Sequence, residues 1–177
     1  MADAITEIPF NGLRLRFDSA KSFEALVDAL LADIGRQPAP LYDLVAESDN
    51  WDGFERAVQR YVGPSGFMLF AAVDHGGWIV KAGIHRRVVR VVLGNPLIAI
   101  TMLRHDITAG LFAPVEVLLT EEAGNRSALT YVAPSSLIVV EPNEPLEAAA
   151  RELDAKLKAL ALSVTGSADQ LSTRSAS

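Results

Sequence analysis

Apolar and cationic residues alternate through Leu13-Arg14-Leu15-Arg16-Phe17, the period of a half-buried strand. The period then lengthens. Phe23, Leu26, Val27, Leu30 and Ile34 fall on one face of a helix, and Gly35 stands where a helix-ending glycine belongs. Gln37-Pro38-Ala39-Pro40 breaks the chain. A second helix is predicted to start near Ser48-Asp49-Asn50, to carry Phe54, Ala57, Val58 and Tyr61 on one face, and to stop at Gly63-Pro64.

The middle of the chain reads as sheet. Phe67 to Val73 is a continuous apolar run between Gly66 and Asp74-His75-Gly76-Gly77, which predicts a strand buried on both faces; Trp78 to Val80 is a candidate to pair back on it. Val88 to Leu93 is β-branched, with Arg87, Val89, Val91 and Leu93 on one face and Arg86, Val88, Arg90 and Val92 on the other. Asn95-Pro96 starts a helix by two rules together, since Asn is a preferred N-cap and proline at the first helical position has no N–H to waste. From Leu97 to Leu103 that helix is apolar nearly all round, so it is expected to be enclosed. Val115 to Thr120 and Arg126 to Val132 predict a hairpin, and Leu137 to Val140 a further strand. A last helix begins at Asn143-Glu144-Pro145, with Leu146, Ala150, Leu153, Leu157 and Leu160 along one stripe and Glu147–Arg151, Glu152–Lys156 and Asp154–Lys158 pairs on its wet side. Runs of strands between helices define an α+β class, a largely antiparallel sheet with helices packed on one face and a short buried helix between strands.

Composition narrows the chemistry. The chain of 177 residues fits one domain, since domains commonly run to about 100–200 residues. Residues 1–165 are expected to form it, and the Ser/Thr/Gly/Ala-rich end, 166–177, a disordered tail. No cysteine is present, which excludes disulfides, thiolate nucleophiles and cysteine-based metal sites. A net charge of −6 disfavours nucleic acid as a partner. Met1-Ala2-Asp3-Ala4 lacks the cationic and apolar regions of a signal peptide, and Leu97–Leu103 is too short to span a bilayer; the expectation is a cytoplasmic protein with no membrane partner. Half of the residues are hydrophobic, which a large core explains, as does a core plus a dimer interface.

Several segments, in order, resemble one family. They are Phe70-Ala71-Ala72-Val73-Asp74-His75-Gly76, Leu93-Gly94-Asn95-Pro96-Leu97-Ile98-Ala99, Ala113-Pro114-Val115-Glu116-Val117, Tyr131-Val132-Ala133-Pro134-Ser135-Ser136 and Leu153-Asp154-Ala155-Lys156-Leu157. Together they resemble the domain-of-unknown-function 302 family over about Phe67 to Leu160. The resemblance implies a compact α+β fold likened to the TATA-binding-protein and helix-grip type, often dimeric, and no established activity. The family's recurring Asp-His pair and Gly-Asn-Pro turn fall on Asp74, His75 and on Gly94, Asn95, Pro96. Many relatives carry small residues after the His; this chain has Gly76-Gly77-Trp78 instead.

Each candidate site has a structural alternative. Asp74-His75-Gly76-Gly77 suits a general base or a ligand donor beside two glycines that admit close approach; it equally suits a tight turn with φ > 0 at the glycines. Gly94-Asn95-Pro96 offers a helix N-terminus to an anion, but Asn95 already caps one donor and Pro96 removes another, which favours scaffold. Lys81, His85, Arg86, Arg87 and Arg90 form the one basic cluster; with Trp78 they would suit phosphate, a carboxylate ligand or single-stranded nucleic acid, whereas arginines guarding an edge strand or pairing with acidic residues explain them without a ligand. His105-Asp106 lacks partners at metal-ligand spacing and reads as the polar end of a helix. Ser135 and Ser136 lack a nucleophile-elbow context and read as a turn. No cofactor or metal is implied. The leading expectation is a homodimeric binder of a small hydrophobic or anionic ligand, with His75, Trp78, Asn95 and Gly94 around a pocket between sheet and helices. Two alternatives stand beside it: a hydrolase- or isomerase-type enzyme with His75 as general base near Asp74 or Glu116, and an oligomerisation module using a sheet face or the Leu146–Leu160 stripe.

Overall fold

A computed structural model describes residues 5–167. Five strands, β1 (Arg14–Ser19), β2 (Met68–Asp74), β3 (Val88–Gly94), β4 (Val115–Glu122) and β5 (Arg126–Val132), form one antiparallel sheet in the order β1-β5-β4-β3-β2. Seven helices accompany it among the described residues: α1 (Phe23–Ile34), α2 (Leu41–Ala46), α3 (Trp51–Gln59), α4 (Gly76–Ile79), α5 (Pro96–Leu103), α6 (Pro134–Ile138) and α7 (Glu144–Thr165). The α+β class with its antiparallel sheet is therefore as the hydrophobic pattern predicts.

Period-2 alternation decides which side of the sheet is dry. Val115, Val117 and Leu119 of β4 point inward and are at most 6% exposed, as do Val91 and Leu93 of β3 and Leu129 and Tyr131 of β5. Helices α1 and α7 lie on that face: Leu26, Leu30 and Ile34 of α1, and Leu146, Ala150, Leu153, Leu157 and Leu160 of α7, join the same core. The stripe on α7 is thus spent inside the chain and is unavailable as a dimer surface. Caps fix the helix starts: the side chains of Ser22, Asn50, Asn95 and Asn143 accept hydrogen bonds from first-turn N–H groups of α1, α3, α5 and α7, the last three at starts the sequence indicates.

Four local expectations change. Strand β2 is an edge strand, buried on both sides only at its start; Met68 meets Leu44 of α2 and Val58 of α3, while Ala72, Val73 and Asp74 are exposed. Trp78–Val80 does not pair back as a strand: Gly76–Ile79 is helical and Val80–Ala82 a 3₁₀ turn, because the Asp74 carboxylate accepts the Gly77 N–H at 3.1 Å and closes the chain into a turn. The Leu137–Val140 strand is replaced by α6, which Pro134 opens and Asp154 of α7 anchors through the Ser135 N–H (2.9 Å) and hydroxyl (2.5 Å). Strand β3 is interior, so its arginines guard no edge; they face β4 carboxylates instead. Of the expected tail, Gly166 ends α7 and the Ser167 hydroxyl donates to the Asp18 carbonyl at 3.1 Å; residues 168–177 lie outside the described residues.

Candidate functional site

Helix α5 is the element around which a site forms. Its sequence, Pro-Leu-Ile-Ala-Ile-Thr-Met-Leu, has no polar face, and such a helix is normally enclosed. Here Met102 is fully buried, but Pro96 to Thr101 are only half-buried. The uncovered side of the helix turns onto a cavity of about 260 Å³. Ile98, Ile100 and Met102 of α5 line it together with Phe67 and Phe70 from the start of β2, Trp51 of α3, and Pro114 before β4. No charged side chain lines this cavity, and Asn95 and the indole of Trp51 are the side chains in its lining that carry a polar nitrogen or oxygen.

Asn95 is committed to scaffold. Its side-chain oxygen accepts the Leu97 N–H at 2.8 Å while its Nδ2 donates to the Gly66 carbonyl at 2.9 Å, and the residue is 8% exposed. Both functions of the carboxamide are used, tying the start of α5 to the turn before β2. Asn95→Ala leaves two part-buried backbone groups without partners and is expected to cost about 1–2 kcal/mol; urea denaturation measures it. Gly94 packs closely, since a Cβ there would lie 3.0 Å from the Phe70 ring and 3.0 Å from Pro114.

His75 and Trp78 lie elsewhere. Strands β2 and β3 are antiparallel with Met68 opposite Gly94 and Asp74 opposite Val89, so the His75 end of β2 is roughly 20 Å from the Asn95 end. The structure therefore does not bring His75 and Trp78 to a common mouth with Asn95 and Gly94. At its own end the His75 ring stands edge-on to Trp78, with centroids 5.8 Å apart, and its backbone N–H donates to the Val88 carbonyl at 2.9 Å. Neither carboxylate considered for it is placed as a partner: Asp74 accepts the Gly77 N–H, and Glu116 is engaged by Arg90 at 2.8 Å. Gly76 and Gly77 do not adopt positive φ. A Cβ on Gly76 would instead crowd the Arg86 carbonyl and the Val88 N–H, each at 3.2 Å, so the glycine serves close packing.

The three arginines of the basic cluster are paired rather than open, while Lys81 and His85 are exposed beside them. Arg87 contacts Glu24 and, at 2.7 Å, Glu121, and it stacks 4.9 Å from the Phe23 ring; Arg86 reaches Glu122 at 3.0 Å. The hydrogen bonds from Arg87 hold the Glu121 carboxyl below its ordinary value. Asp106 accepts both the N–H and the hydroxyl of Thr108, at 2.8 and 2.7 Å, which lowers its pKa; it caps a 3₁₀ turn at Ile107–Leu111. No group of three or more His, Asp or Glu side chains able to hold a metal ion occurs among the described residues. No helix among them is long and apolar enough to cross a membrane.

The pocket expected from the sequence joined Gly94 and Asn95, which line this cavity, to His75 and Trp78, which do not, and it left out Trp51, Phe67, Phe70, Ile98 and Ile100. The signal was present in α5, whose all-round apolar surface needs cover on every side.

The sheet order and helical layer define a small antiparallel α+β domain. The chain belongs to the family described as Domain of unknown function DUF302, whose model matches residues 45–164. Among solved structures it is similar to the uncharacterized conserved protein DUF302 from Bacillus stearothermophilus, with a TM-score of 0.58 and 14% identity over 84% of this chain and 95% of that one; at that identity the likeness concerns the fold alone. No curated protein matches the chain.

Proposed function

We propose that the chain binds a small, neutral, apolar molecule in the cavity beneath α5. The observation that carries this reading is that a helix with no polar face leaves its Pro96–Thr101 surface half-buried against an uncharged cavity of about 260 Å³. Cavities of about 150 Å³ with such linings hold a benzene-sized molecule, so this one suits a small bicyclic ring or a medium-length alkyl chain. Of the two ligand classes expected from the sequence, the absence of any lining charge favours the hydrophobic one over the anionic one at this place. The reading needs no second copy of the chain and gives His75 no chemical role.

Trp51 provides the test. The chain has two tryptophans, so Trp78→Phe leaves Trp51 as the sole reporter at the cavity wall. Titration with 1-octanol is expected to change Trp51 emission saturably and to shift the Ile98, Ile100 and Met102 methyl resonances. Ala99→Phe, which fills the cavity from α5, is expected to weaken that binding at least ten-fold with unchanged far-ultraviolet circular dichroism. Non-saturable shifts, or equal affinity in the Ala99→Phe chain, would remove the proposal.

A further inference from the structure

The face of the sheet turned away from α1 and α7 carries a second concavity, of about 710 Å³. Pairing registers lay out its floor. Arg16, Thr130, Leu118 and Arg90 lie in one cross-strand row, and beside it Arg14 pairs with Val132 and Glu116 with Val92. An antiparallel sheet with one solvated face ordinarily places polar residues outward in its central strands. Here the outward positions of β3, β4 and β5 include Val88, Val92, Leu118 and Val132, all half-buried. Three arginines, Arg14, Arg16 and Arg90, line the concavity against a single carboxylate, Glu116. Two of the three arginines are answered by carboxylates, which leaves Arg14 as the cation available to a ligand. Arg90 is engaged by Glu116 and Arg16 is shared by Asp18 at 2.8 Å and Glu122 at 3.4 Å. Arg14 is exposed and has no carboxylate partner among the described residues. At the end of the concavity nearest Arg14, Leu111, Phe112 and Leu137 form an apolar wall, and Leu111 is 78% exposed.

We propose that this open sheet face binds an amphipathic anion, a carboxylate with an alkyl or aryl body, its charge at Arg14 and its body along Val132, Leu118 and the Leu111–Phe112 wall. Charge selects the occupant: an uncharged apolar ligand would leave Arg14 unanswered beside it, and a simple inorganic anion would leave the apolar floor wet. The site is separate from the cavity beneath α5 and does not rest on the reading of that cavity.

Decanoate is the probe, with decanol as the same chain without charge and acetate as the charge without a chain. Amide resonances of Leu118, Thr130 and Val132 are expected to shift saturably with decanoate, and decanol and acetate to act there at least ten-fold more weakly. Arg14→Gln is expected to weaken decanoate about ten-fold, while Arg14→Lys, which keeps the charge, retains most of the affinity. Both variants change an exposed residue that holds no ion pair, so the fold is expected to be unaffected by circular dichroism. The proposal is overturned if decanoate shifts only the Ile98, Ile100 and Met102 methyls, if Arg14→Gln binds as the parent does, or if light scattering finds a dimer that Leu118→Glu converts to monomer, since a second copy would then occupy the face. Failure of the octanol titration at Trp51 leaves each of these readouts intact, and the two sites are tested apart.

Discussion

Gly63→Ala is expected to lower stability by about 3 kcal/mol, at the upper end of what overpacking costs. A Cβ on Gly63 would overlap the backbone carbonyl of Asp33 in the last turn of α1 and approach the Phe67 carbonyl to 3.2 Å. Relief by rotating a side chain is impossible, because the obstructing atoms are backbone. The turn itself is fixed: the Gly63 N–H donates to the Phe67 carbonyl at 2.8 Å, the Gly66 N–H donates to the Gly63 carbonyl at 2.9 Å, and the Asp33 carboxylate accepts from both the N–H and the hydroxyl of Ser65. Either α1 shifts, disturbing Leu30 and Ile34 in the core, or the turn that feeds β2 does. Gly124→Ala is the control. Gly124 has a φ of 74° in the β4–β5 turn but open space around a Cβ, so its cost is conformational, about 1 kcal/mol. Urea denaturation should give a clearly lower midpoint for Gly63→Ala at unchanged slope; equal midpoints for the two variants would show that the turn and helix yield more freely than their hydrogen bonds imply.

Gly63 also shows what a sequence can and cannot convey. Gly63-Pro64 was legible as a helix stop, although α3 ends earlier, at Gln59, and Tyr61 lies in the turn beyond it; that Asp33 would lie against Gly63 depends on packing between segments 30 residues apart. The same division runs through the chain. Asn95, Asn143 and Asn50 were legible as caps because capping uses residues within one turn. Leu146–Leu160 was legible as a buried stripe because helical period is local. Helix α2 was not, since Pro40 at its start makes no side-chain cap and the helix is held through Leu44 by α3 and Met68. Helix α6 was hidden for the same reason: its apolar Leu137-Ile138 looks like strand until Asp154, on a different helix, captures Ser135. Strand order is the largest omission. Nothing local says that β2 is an edge and β3 interior, and that order is what converts the arginines of β3 into partners of β4 carboxylates; His75 and Asn95 are parted by the antiparallel pairing of β2 with β3, which puts the ends of the two strands at opposite ends of the pair.

The candidate cavity followed the same rule in reverse. Asn95 and Gly94 were recognised because a Gly-Asn-Pro turn is a local signal, yet their roles are structural: a cap, a tie to Gly66, and a close approach to Phe70 and Pro114. The residues that give the cavity its chemistry are apolar and come from α3, β2 and α5. Apolar side chains carry no distinguishing mark in a sequence; only their incomplete burial, which is a property of the fold, separates a lining residue from a core residue.

Tyr131 leads to the second large expectation, a loss of stability on the alkaline side that one substitution removes. The Tyr131 ring is 4% exposed and stacks on Phe17, with centroids 5.7 Å apart and planes 10° from parallel. Its buried hydroxyl finds no hydrogen-bond partner among the described residues. Burial first, and then the negative charge of Asp154, push its pKa up from 10 to about 12, because the phenolate would be both poorly solvated and repelled. Below pH 10 the hydroxyl is protonated in the folded and unfolded chains alike, and the contribution is fully present. Between pH 10 and 12 the unfolded chain releases this proton while the folded chain retains it, so the unfolded state binds fewer protons and stability falls as pH rises. Two pH units correspond to roughly 2–3 kcal/mol. Tyr131→Phe keeps the ring stack and removes the titrating group. The remaining groups titrate alike in both chains, so the difference between them isolates Tyr131. At pH 8 the variant should be at least as stable as the parent, since it loses a hydroxyl that has no partner; by pH 11.5 its advantage should have grown by about 2 kcal/mol. Urea denaturation of both chains at the two pH values decides the matter, and an advantage that does not grow with pH would mean that the folded chain accommodates the phenolate.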